Sequence, residues 1–242
     1  IKINKKKIKK NIKFNILKER IGSKKKKKKN IKLFNGKPMF AWAYQIALKS
    51  KLFDKIIISS ESNEVLKIAK KIGFDILIKR PNKLANDYVG TEKVIKHSIK
   101  ELEKKYSFDN VCCIYPCNPF IQIKDLNESY KRLMSDRQKY IFPITNYYHP
   151  IERAYTFKNK TEIKFRNSFF KKKRTQDLQT KFYDTGQFYF ASKKTWNKLQ
   201  KTKKVGLKIL NWRVIDIDNK SDWKRAEIMY KFFKKNKILK LV

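Results

Sequence analysis

Hydrophobic and polar positions follow two different spacings along the chain, and the two spacings alternate in a regular order. Short apolar runs at Ile12–Leu17, Lys55–Ser59 and Asn110–Tyr115 are typical of strands that are buried on both faces of a sheet. Apolar residues at helical spacing fill Met39–Lys49 and a segment from about Glu92 to Lys105. Because strand–helix–strand units connect through right-handed crossovers, this order predicts an α/β fold with a mostly parallel sheet and helices on both faces.

The pattern continues toward the C-terminus with one long interruption. The further predicted strands are 75–78, 140–145, 186–191 and 212–217, and the further predicted helices are 65–72, 125–135, 193–199 and 221–235. Ser221 is the predicted N-cap of the last helix, and Asp222 lies in its first turn, where the helix dipole favours an acid. Between residues 146 and 182 the periodicity is lost, and the segment is polar, aromatic and basic. A long irregular excursion inside a compact domain indicates a functional segment or an interface.

Lysine dominates the composition and raises the question of a nucleic-acid partner. The 242 residues include 62 Lys and Arg against 21 Asp and Glu, which gives a formal net charge of +41. Such a charge can bind nucleic acid through counterion release from phosphates, or it can be the lysine-biased surface of an ordinary enzyme. The lysines are spread over the whole length of the chain, so we favour the enzyme and expect no nucleic-acid partner.

Length, hydropathy and cysteine usage narrow the classes of protein to which the chain can belong. A chain of 242 residues with 41% apolar residues is long enough for a proper core, and we assign residues 1–242 to a single domain. No apolar run of the sequence approaches the length of a membrane span. Cys112, Cys113 and Cys117 lack a zinc-type spacing and fit small buried residues in a reducing compartment. We therefore expect a cytoplasmic protein without a membrane partner.

A basic loop follows the first predicted strand and precedes the first predicted helix. It begins with Arg20-Ile21-Gly22-Ser23-Lys24 and ends with Lys29-Asn30. Backbone N–H groups of a glycine-bearing loop at this place can point at a phosphate, which lysine and arginine neutralise. A run of six lysines is also the composition of a solvated loop, and both interpretations stay open here. Ligands of such sheets bind beyond the carboxyl ends of the strands. The predicted walls of the site are 20–30, 59–64, 80–91 and 115–122.

Asp216 and Asp218 are the strongest local signal for a metal. They lie at the end of the predicted strand 212–217, and residues two apart in an extended segment point to the same side. Mg²⁺ takes oxygen ligands from one or two carboxylates and keeps waters or substrate phosphates as the others. The pair is therefore a candidate magnesium site, and the alternative is a pair of surface acids.

Several motifs, taken in order, resemble the acylneuraminate cytidylyltransferases, which are sugar-activating enzymes. Beyond the basic loop, the likeness is carried by Phe34-Asn35-Gly36-Lys37-Pro38, Ile58-Ser59-Ser60-Glu61, Arg80-Pro81, Leu84-Ala85-Asn86-Asp87, Gly90-Thr91 and Asp216-Ile217-Asp218. The stretches Cys113–Phe120, His149–Ala154 and Arg174–Tyr189 resemble the branch of the family that acts on pseudaminic acid. Tyr115 also stands where enzymes acting on N-acetylneuraminate carry glutamine. The resemblance covers nearly the whole chain after residue 12.

The resemblance implies a Rossmann-like nucleotide-diphospho-sugar transferase fold and a reaction for it. CTP and a nine-carbon 2-keto sugar acid, with pseudaminic acid as the expected one, would give a CMP-sugar and pyrophosphate for surface-glycan or flagellin glycosylation. Mg²⁺ would be the cofactor. The enzyme would be a homodimer, and residues 146–182 would be an arm inserted in the domain for dimerisation and substrate binding.

The resemblance also implies roles for individual residues. The expected nucleotide-binding residues are Arg20, Gly22, Ser23, Lys24, Lys29, Asn30, Arg80 and Thr91. The expected sugar-binding residues are Tyr115, Arg153, Arg174 and Gln187, of which Arg174 could act in the site of a second copy. The expected metal ligands are Asp216 and Asp218, and these two would carry catalysis together with Arg20 and Lys29.

The sequence departs from the family pattern around the basic loop, and several alternatives stay open. Lys18 stands where the family usually has proline, Ile21 stands where it has glycine, and lysines 25–28 replace a more mixed sequence. The alternatives within the family are the same reaction on N-acetylneuraminic or legionaminic acid and a catalytically weakened homologue. The alternative outside the family is a basic protein that binds nucleic acid.

Overall fold

A computed structural model describes residues 12–19, 29–86 and 88–240, and within them strands and helices alternate. The helices of these residues are α1 (Met39–Ser50), α2 (Asn63–Ile72), α3 (Thr91–Glu103), α4 (Ile123–Ser135), α5 (Lys193–Asn197) and α6 (Lys220–Lys235). The strands are β1 (Ile12–Lys18), β2 (Leu33–Phe34), β3 (Lys37–Pro38), β4 (Lys55–Ser60), β5 (Ile76–Lys79), β6 (Phe108–Ile114), β7 (Lys139–Asn146), β8 (Tyr155–Phe157), β9 (Ile163–Phe165), β10 (Phe182–Asp184), β11 (Phe188–Ser192) and β12 (Lys203–Lys208). No helix of the described ranges combines the length and the apolar character needed to cross a membrane.

Helix α2 illustrates how the sequence sets the ends of a helix. At its N-terminus the Ser62 hydroxyl oxygen accepts the backbone N–H of Val65 at 3.4 Å. At its C-terminus Gly73 takes a φ of 110°, a left-handed conformation that residues with a side chain rarely adopt. Between these ends Val65 and Ala69 are buried against the sheet. The predicted helix 65–72 is confirmed, and it begins two residues earlier, at Asn63.

One mixed sheet of eight strands organises the described residues. Its order is β10-β7-β11-β6-β1-β4-β5, and β12 pairs with β7 beside this path. Strand β1 is parallel to both β4 and β6, whereas β11 runs antiparallel to β6 and β7. The chain leaves β1 toward β4 and β5 and later crosses back to β6, so a topological switch point lies between the carboxyl ends of β1 and β6. The predicted α/β class with a mostly parallel sheet is confirmed.

The two faces of the sheet are covered by separate hydrophobic clusters. Leu17 of β1 belongs to a cluster that includes Phe40 of α1, and Ile16 belongs to the cluster on the other face, which includes Ile95 of α3. All four side chains are essentially inaccessible to solvent. Burial on both faces explains why the central strands are continuous apolar runs in the sequence.

The predicted strand 212–217 is wrong. A 3₁₀ turn covers Asn211–Arg213, and none of residues 214–218 belongs to a strand. Ile215 and Ile217 are buried in an aromatic cluster with Phe34 and Trp223, so the apolar alternation reflects packing on this cluster and not strand pairing. A strand that the sequence did not predict, β12, pairs with β7.

The predicted N-cap of the last helix is also wrong. Helix α6 begins two residues earlier than a Ser221 cap would allow, because Asn219 is the cap. The Asn219 side chain accepts the backbone N–H of Asp222, and the Asp222 carboxylate accepts the backbone N–H of Asn219. This reciprocal arrangement is a capping box, and Asp222 lies in the first turn as predicted.

The segment 146–182 contains more regular structure than its sequence indicates. Strands β8 and β9 form an antiparallel hairpin, and β10, which begins at the end of the segment, pairs with β7 at the edge of the main sheet. Several large apolar side chains of the segment are exposed, among them Phe157 at 74% and Phe169 at 70%. The segment therefore presents an apolar surface to its surroundings.

Candidate active site

A cleft of about 480 Å³ opens beyond the carboxyl ends of β1 and β6, at the switch point of the sheet. Its lining includes residues of three predicted walls, 20–30, 80–91 and 115–122, and of two later segments, 183–186 and 214–218. The predicted wall 59–64 contributes no lining residue. Most of the predicted walls therefore converge, although they lie far apart in the sequence.

One part of the cleft, which we call the carboxylate end, is formed by Lys29, Asn30, Cys117, Asp216 and Asp218. The Lys29 ammonium donates to the backbone carbonyl between the two aspartates at 2.6 Å and to Asp218 Oδ1 at 3.4 Å. Asn30 is 8% exposed, and its Oδ1 atom has no hydrogen-bond partner among the described residues. This end thus combines the hydrogen-bonded ammonium group of Lys29, two carboxylates, and an amide oxygen that accepts no hydrogen bond from the described residues.

Two interactions hold the segment that carries Asp216 and Asp218. Before it, Arg213 Nη1 donates to Asp125 Oδ2 at 2.5 Å, and both side chains are buried. After it, the backbone N–H of Asp218 donates to Asp222 Oδ2 at 2.9 Å, which ties the segment to the capping box of α6. Both aspartates line the cleft, as expected for residues two apart in an extended segment, even though that segment is not a strand.

The carboxylate end fits a divalent cation that takes few protein ligands. The described residues contain no group of three or more His, Cys, Asp or Glu side chains that could enclose a metal. Two carboxylates alone fit Mg²⁺, which keeps waters or phosphate oxygens as its remaining ligands. Burial raises the pKa of Cys117 to about 12, and the nearby carboxylates act in the same direction. A thiol is in addition a soft ligand, whereas Mg²⁺ prefers oxygen ligands.

A second part of the cleft, which we call the tyrosine end, is formed by Lys18, Tyr115 and Asp184, with Thr91 and Tyr189 beside them. Lys18 Nζ donates to Thr91 Oγ1 at 3.1 Å and lies 5.4 Å from the centre of the Tyr115 ring. The hydroxyls of Thr91 and Tyr115 are hydrogen-bonded to each other. Tyr189 lies against Tyr115, with ring centres 5.2 Å apart, and donates to Asp184 Oδ2 at 3.0 Å.

Burial sets the protonation state of the two tyrosines. It raises the pKa of Tyr115 to about 12 and raises the pKa of Tyr189 well above its ordinary value. The negative charge of Asp184 acts in the same direction on both. Both hydroxyls therefore stay protonated at neutral pH, and the Tyr189 hydroxyl remains a donor to Asp184.

Arg80, which was expected to contact the nucleotide, lines the cleft, but its guanidinium is hydrogen-bonded to neighbouring residues of the fold. Its side chain is 2% exposed, and Nη2 donates to Glu61 Oε2 at 2.6 Å and to the backbone carbonyl of Glu19 at 2.5 Å. Nη1 donates to the backbone carbonyl of Ser59 at 3.2 Å. Arg80 therefore ties together the carboxyl ends of β1, β4 and β5, and the segment 59–64 takes part through the Ser59 carbonyl and the Glu61 carboxylate.

Three predicted sugar-binding residues do not line the cleft. Gln187 is 1% exposed within the fold, and its Oε1 atom has no partner in the part of the chain that the structure describes. Arg153 and Arg174 lie in the segment 146–182, where Arg153 donates to backbone carbonyls and Arg174 pairs with Asp177 at 2.9 Å. The expected phosphate-loop residues Arg20, Gly22, Ser23 and Lys24 lie outside the described residues.

Sequence reasoning missed two charged residues of the cleft, Lys18 and Asp184, and did not predict the apolar character of the wall near residues 80–91. Lys18 ends β1 beside the switch point, and Asp184 precedes a turn that the sequence alone indicates only as a polar rim. Leu84, Val89 and Val94 add the apolar wall. Asp184 reaches the cleft because β10 pairs with β7, a long-range contact that no local pattern encodes.

Comparison with known proteins places the chain in a family. A family model described as Cytidylyltransferase matches residues 15–235. The pseudaminic acid cytidylyltransferase of Campylobacter jejuni is 31% identical over 220 residues, which cover 89% of this chain and 95% of that protein. The N-acylneuraminate cytidylyltransferase of Escherichia coli is 32% identical over 125 residues, which cover 52% of this chain and 29% of that protein.

A solved structure gives the same result at the level of the fold. The structure of CMP:2-keto-3-deoxy-manno-octonic acid synthetase complexed with CTP matches with a TM-score of 0.68, over 91% of this chain and 99% of that chain. The two sequences are 11% identical, so the likeness concerns the fold alone. It confirms the predicted nucleotide-sugar transferase fold.

Proposed function

Because the chain belongs to the cytidylyltransferase family, we propose that it transfers the CMP group of CTP to a nonulosonic acid and releases pyrophosphate. Pseudaminic acid is the proposed acceptor, since a relative named for that acid is similar over 89% of this chain. Tyr115, at the position where enzymes for N-acetylneuraminate carry glutamine, supports the same choice. The observation that carries the proposal is a single cleft that joins an anchored lysine and two carboxylates to a wall of hydroxyl groups.

The carboxylate end would hold the reacting phosphates. In this transfer the anomeric hydroxyl of the sugar attacks the α-phosphorus in line while the bond to pyrophosphate breaks, so catalysis rests on positioning and charge neutralisation. Lys29 presents a fixed positive charge there, held by the carbonyl oxygen at 2.6 Å. Asp216 and Asp218 would hold Mg²⁺, which when bound would neutralise phosphate charge. The loop residues Arg20, Gly22, Ser23 and Lys24 would line the triphosphate together with Asn30.

The apolar wall offers a place for the pyrimidine ring of CTP. Leu84, Val89 and Val94 line the cleft, and Val94 belongs to α3. Thr91 begins α3 beside this wall and could contact the nucleotide with its hydroxyl. Arg80 would act indirectly, because its guanidinium already bonds to Glu61 and to backbone carbonyls.

The segment 146–182 would join two copies of the single domain 1–242. Its exposed Phe157 and Phe169 need a partner surface, and Arg153 and Arg174 lie outside the cleft of their own chain. In a homodimer these arginines could bind the acceptor carboxylate in the site of the second copy. Light scattering would test this, with Phe157→Ser and Phe169→Ser expected to give monomers. Leu48→Ser, at a 54% exposed position on α1, is the control that should leave the dimer intact.

Pyrophosphate release from CTP tests the proposed reaction. The purified chain is incubated with CTP, Mg²⁺ and pseudaminic, legionaminic or N-acetylneuraminic acid in parallel, with CTP alone as the blank. Release with pseudaminic acid, abolished by a chelator and restored by Mg²⁺, is the expected result. Release with another acid only would contradict the proposed acceptor. Protection of the fold by CTP without release for any acid would identify a weakened homologue and contradict the proposed activity.

A further inference from the structure

Asp184 is a carboxylate of the cleft that the proposed phosphate chemistry does not use. It ends β10 and lines the cleft beside Thr185 and Gly186, at the tyrosine end. None of the ion pairs formed among the described residues includes Asp184, although the chain carries 62 lysines and arginines. We propose that Asp184 is a specificity-determining residue whose carboxylate accepts hydrogen bonds from hydroxyl or amide N–H groups of the acceptor sugar. This inference rests on the proposed function and adds a residue to it.

The two oxygens of Asp184 are each held by one neutral donor. The backbone N–H of Gly186 donates to Oδ1 at 2.9 Å, and the Tyr189 hydroxyl donates to Oδ2 at 3.0 Å. An ionised carboxylate has about four acceptor sites, so roughly two stay available to a ligand in the cleft. The group is therefore oriented by the protein and still able to accept hydrogen bonds.

The residues that orient Asp184 are themselves fixed. Gly186 adopts a φ of 63°, and its carbonyl oxygen accepts a hydrogen bond from Asn118 Nδ2 at 2.9 Å. The Tyr189 ring is stacked on Tyr140, with centres 5.7 Å apart and planes at 16°. A carboxylate supported in this way keeps its position before the ligand arrives, which is what selective binding requires.

The chemistry of the two substrates indicates which of them Asp184 binds. A carboxylate repels the phosphates of CTP, so Asp184 is suited to the uncharged face of the sugar. Nonulosonic acids differ in the arrangement of hydroxyl and acylamino groups, all of which can donate hydrogen bonds. A site built to accept such a bond rejects an analogue without the donor much more strongly than an apolar pocket rejects a changed methyl group.

Isosteric substitution of Asp184 tests the inference. Asp184→Asn is expected to raise the KM for the acceptor by about ten- to a hundredfold and to leave the Kd for CTP unchanged, because the acceptor group loses its charge and one of its two oxygens is replaced by a donor NH₂. Tyr189→Phe is expected to raise the acceptor KM by a smaller, roughly fewfold, factor, because Asp184 then loses one orienting donor. Asp136→Asn makes the same charge change at the C-terminal end of α4, outside the lining of the cleft, and serves as the matched control.

A set of acceptor analogues completes the test. Each hydroxyl is replaced by hydrogen, or each amide N–H by N-methyl, one position at a time. We expect one analogue to lose affinity for the natural chain and to show no further loss with Asp184→Asn. An unchanged acceptor KM in Asp184→Asn, or an equal loss of CTP binding, would overturn the inference while pyrophosphate release by the natural chain still upheld the reaction. If the natural chain released no pyrophosphate, calorimetric binding of the acid to the natural chain and to Asp184→Asn would decide the role of Asp184 separately.

Discussion

The two ends of the cleft differ in how their polar groups are balanced. At the carboxylate end, formal charges oppose each other directly, with Lys29 3.4 Å from Asp218 Oδ1. At the tyrosine end, neutral hydroxyls of Thr91, Tyr115 and Tyr189 connect Lys18 to Asp184. An end made of opposed charges suits a polyphosphate and a cation, whereas an end made of oriented hydroxyls suits the uncharged hydroxyl and amide groups of a sugar. The difference supports the proposed placement of the two substrates in different parts of one cleft.

The supports of the two ends differ as well. The segment that carries Asp216 and Asp218 belongs to no strand and depends on the buried pair Arg213–Asp125 and on the capping box after it. The tyrosine end is built on β6, β10 and β11, where strand pairing and the packing of aromatic rings both stabilise the position of the side chains. A single remote substitution should therefore damage the carboxylate end, whereas the tyrosine end should weaken in small steps.

Loss of the Arg213 guanidinium is expected to have the largest effect. Arg213→Met leaves Asp125 buried without its partner, which should lower the free energy of unfolding by about 3–5 kcal/mol. Denaturant titration measures the loss, and Arg132→Met, in an exposed pair with Glu128, should cost only about 0–1 kcal/mol. Combining Arg213→Met with Asp125→Leu should recover much of the stability. Equal losses in the single and double variants would show that the buried charge is not the cause.

Removing the charge of Asp216 or Asp218 should separate an effect on the reaction from an effect on the free energy of unfolding. Asp216→Asn and Asp218→Asn are each expected to lower kcat/KM by roughly a hundredfold or more, because a bound metal contributes several kcal/mol at the transferring phosphate. Steady-state kinetics over a series of Mg²⁺ concentrations measures this effect. The free energy of unfolding should change by less than about 1 kcal/mol for Asp216→Asn, since this side chain lines the cleft. Full activity in both variants would contradict the metal role, and Asp109→Asn at the surface is the control.

A backbone change at the tyrosine end should have an intermediate effect. Gly186→Ala places a side chain at a φ of 63°, where strain costs about 1–2 kcal/mol, although the added carbon meets no atom within 4 Å. The turn that orients Asp184 should shift, so the acceptor KM should rise while CTP binding stays constant. Gly90→Ala has the same free space at an ordinary negative φ and should behave like the natural chain. Similar losses in both variants would exclude strain as the cause.

The sequence predicted the parts of the molecule that local chemistry determines. Most of the strand and helix order, the helix 65–72 and the shared orientation of Asp216 and Asp218 follow from spacing, and the family resemblance and enzyme class are confirmed. The predicted strand 212–217 is wrong because burial on an aromatic cluster produces the same alternation of apolar and polar residues as pairing in a β-sheet. Asp184 was missed because only the pairing of β10 with β7 brings it to the cleft.

Alkaline pH should have the smallest effect, a loss of stability to which one residue at each end of the cleft contributes. Burial raises the pKa of Cys117 and of Tyr115 to about 12, so the folded chain keeps protons that the unfolded chain releases at about pH 9–10. Because the unfolded state then binds fewer protons, stability should be full below about pH 9 and should fall as the pH rises further. Thermal unfolding between neutral pH and about pH 10.5 measures the slope. Cys117→Ala and Tyr115→Phe should each flatten the slope, one at either end of the cleft, whereas slopes equal to that of the natural chain would show that neither group is held protonated by burial.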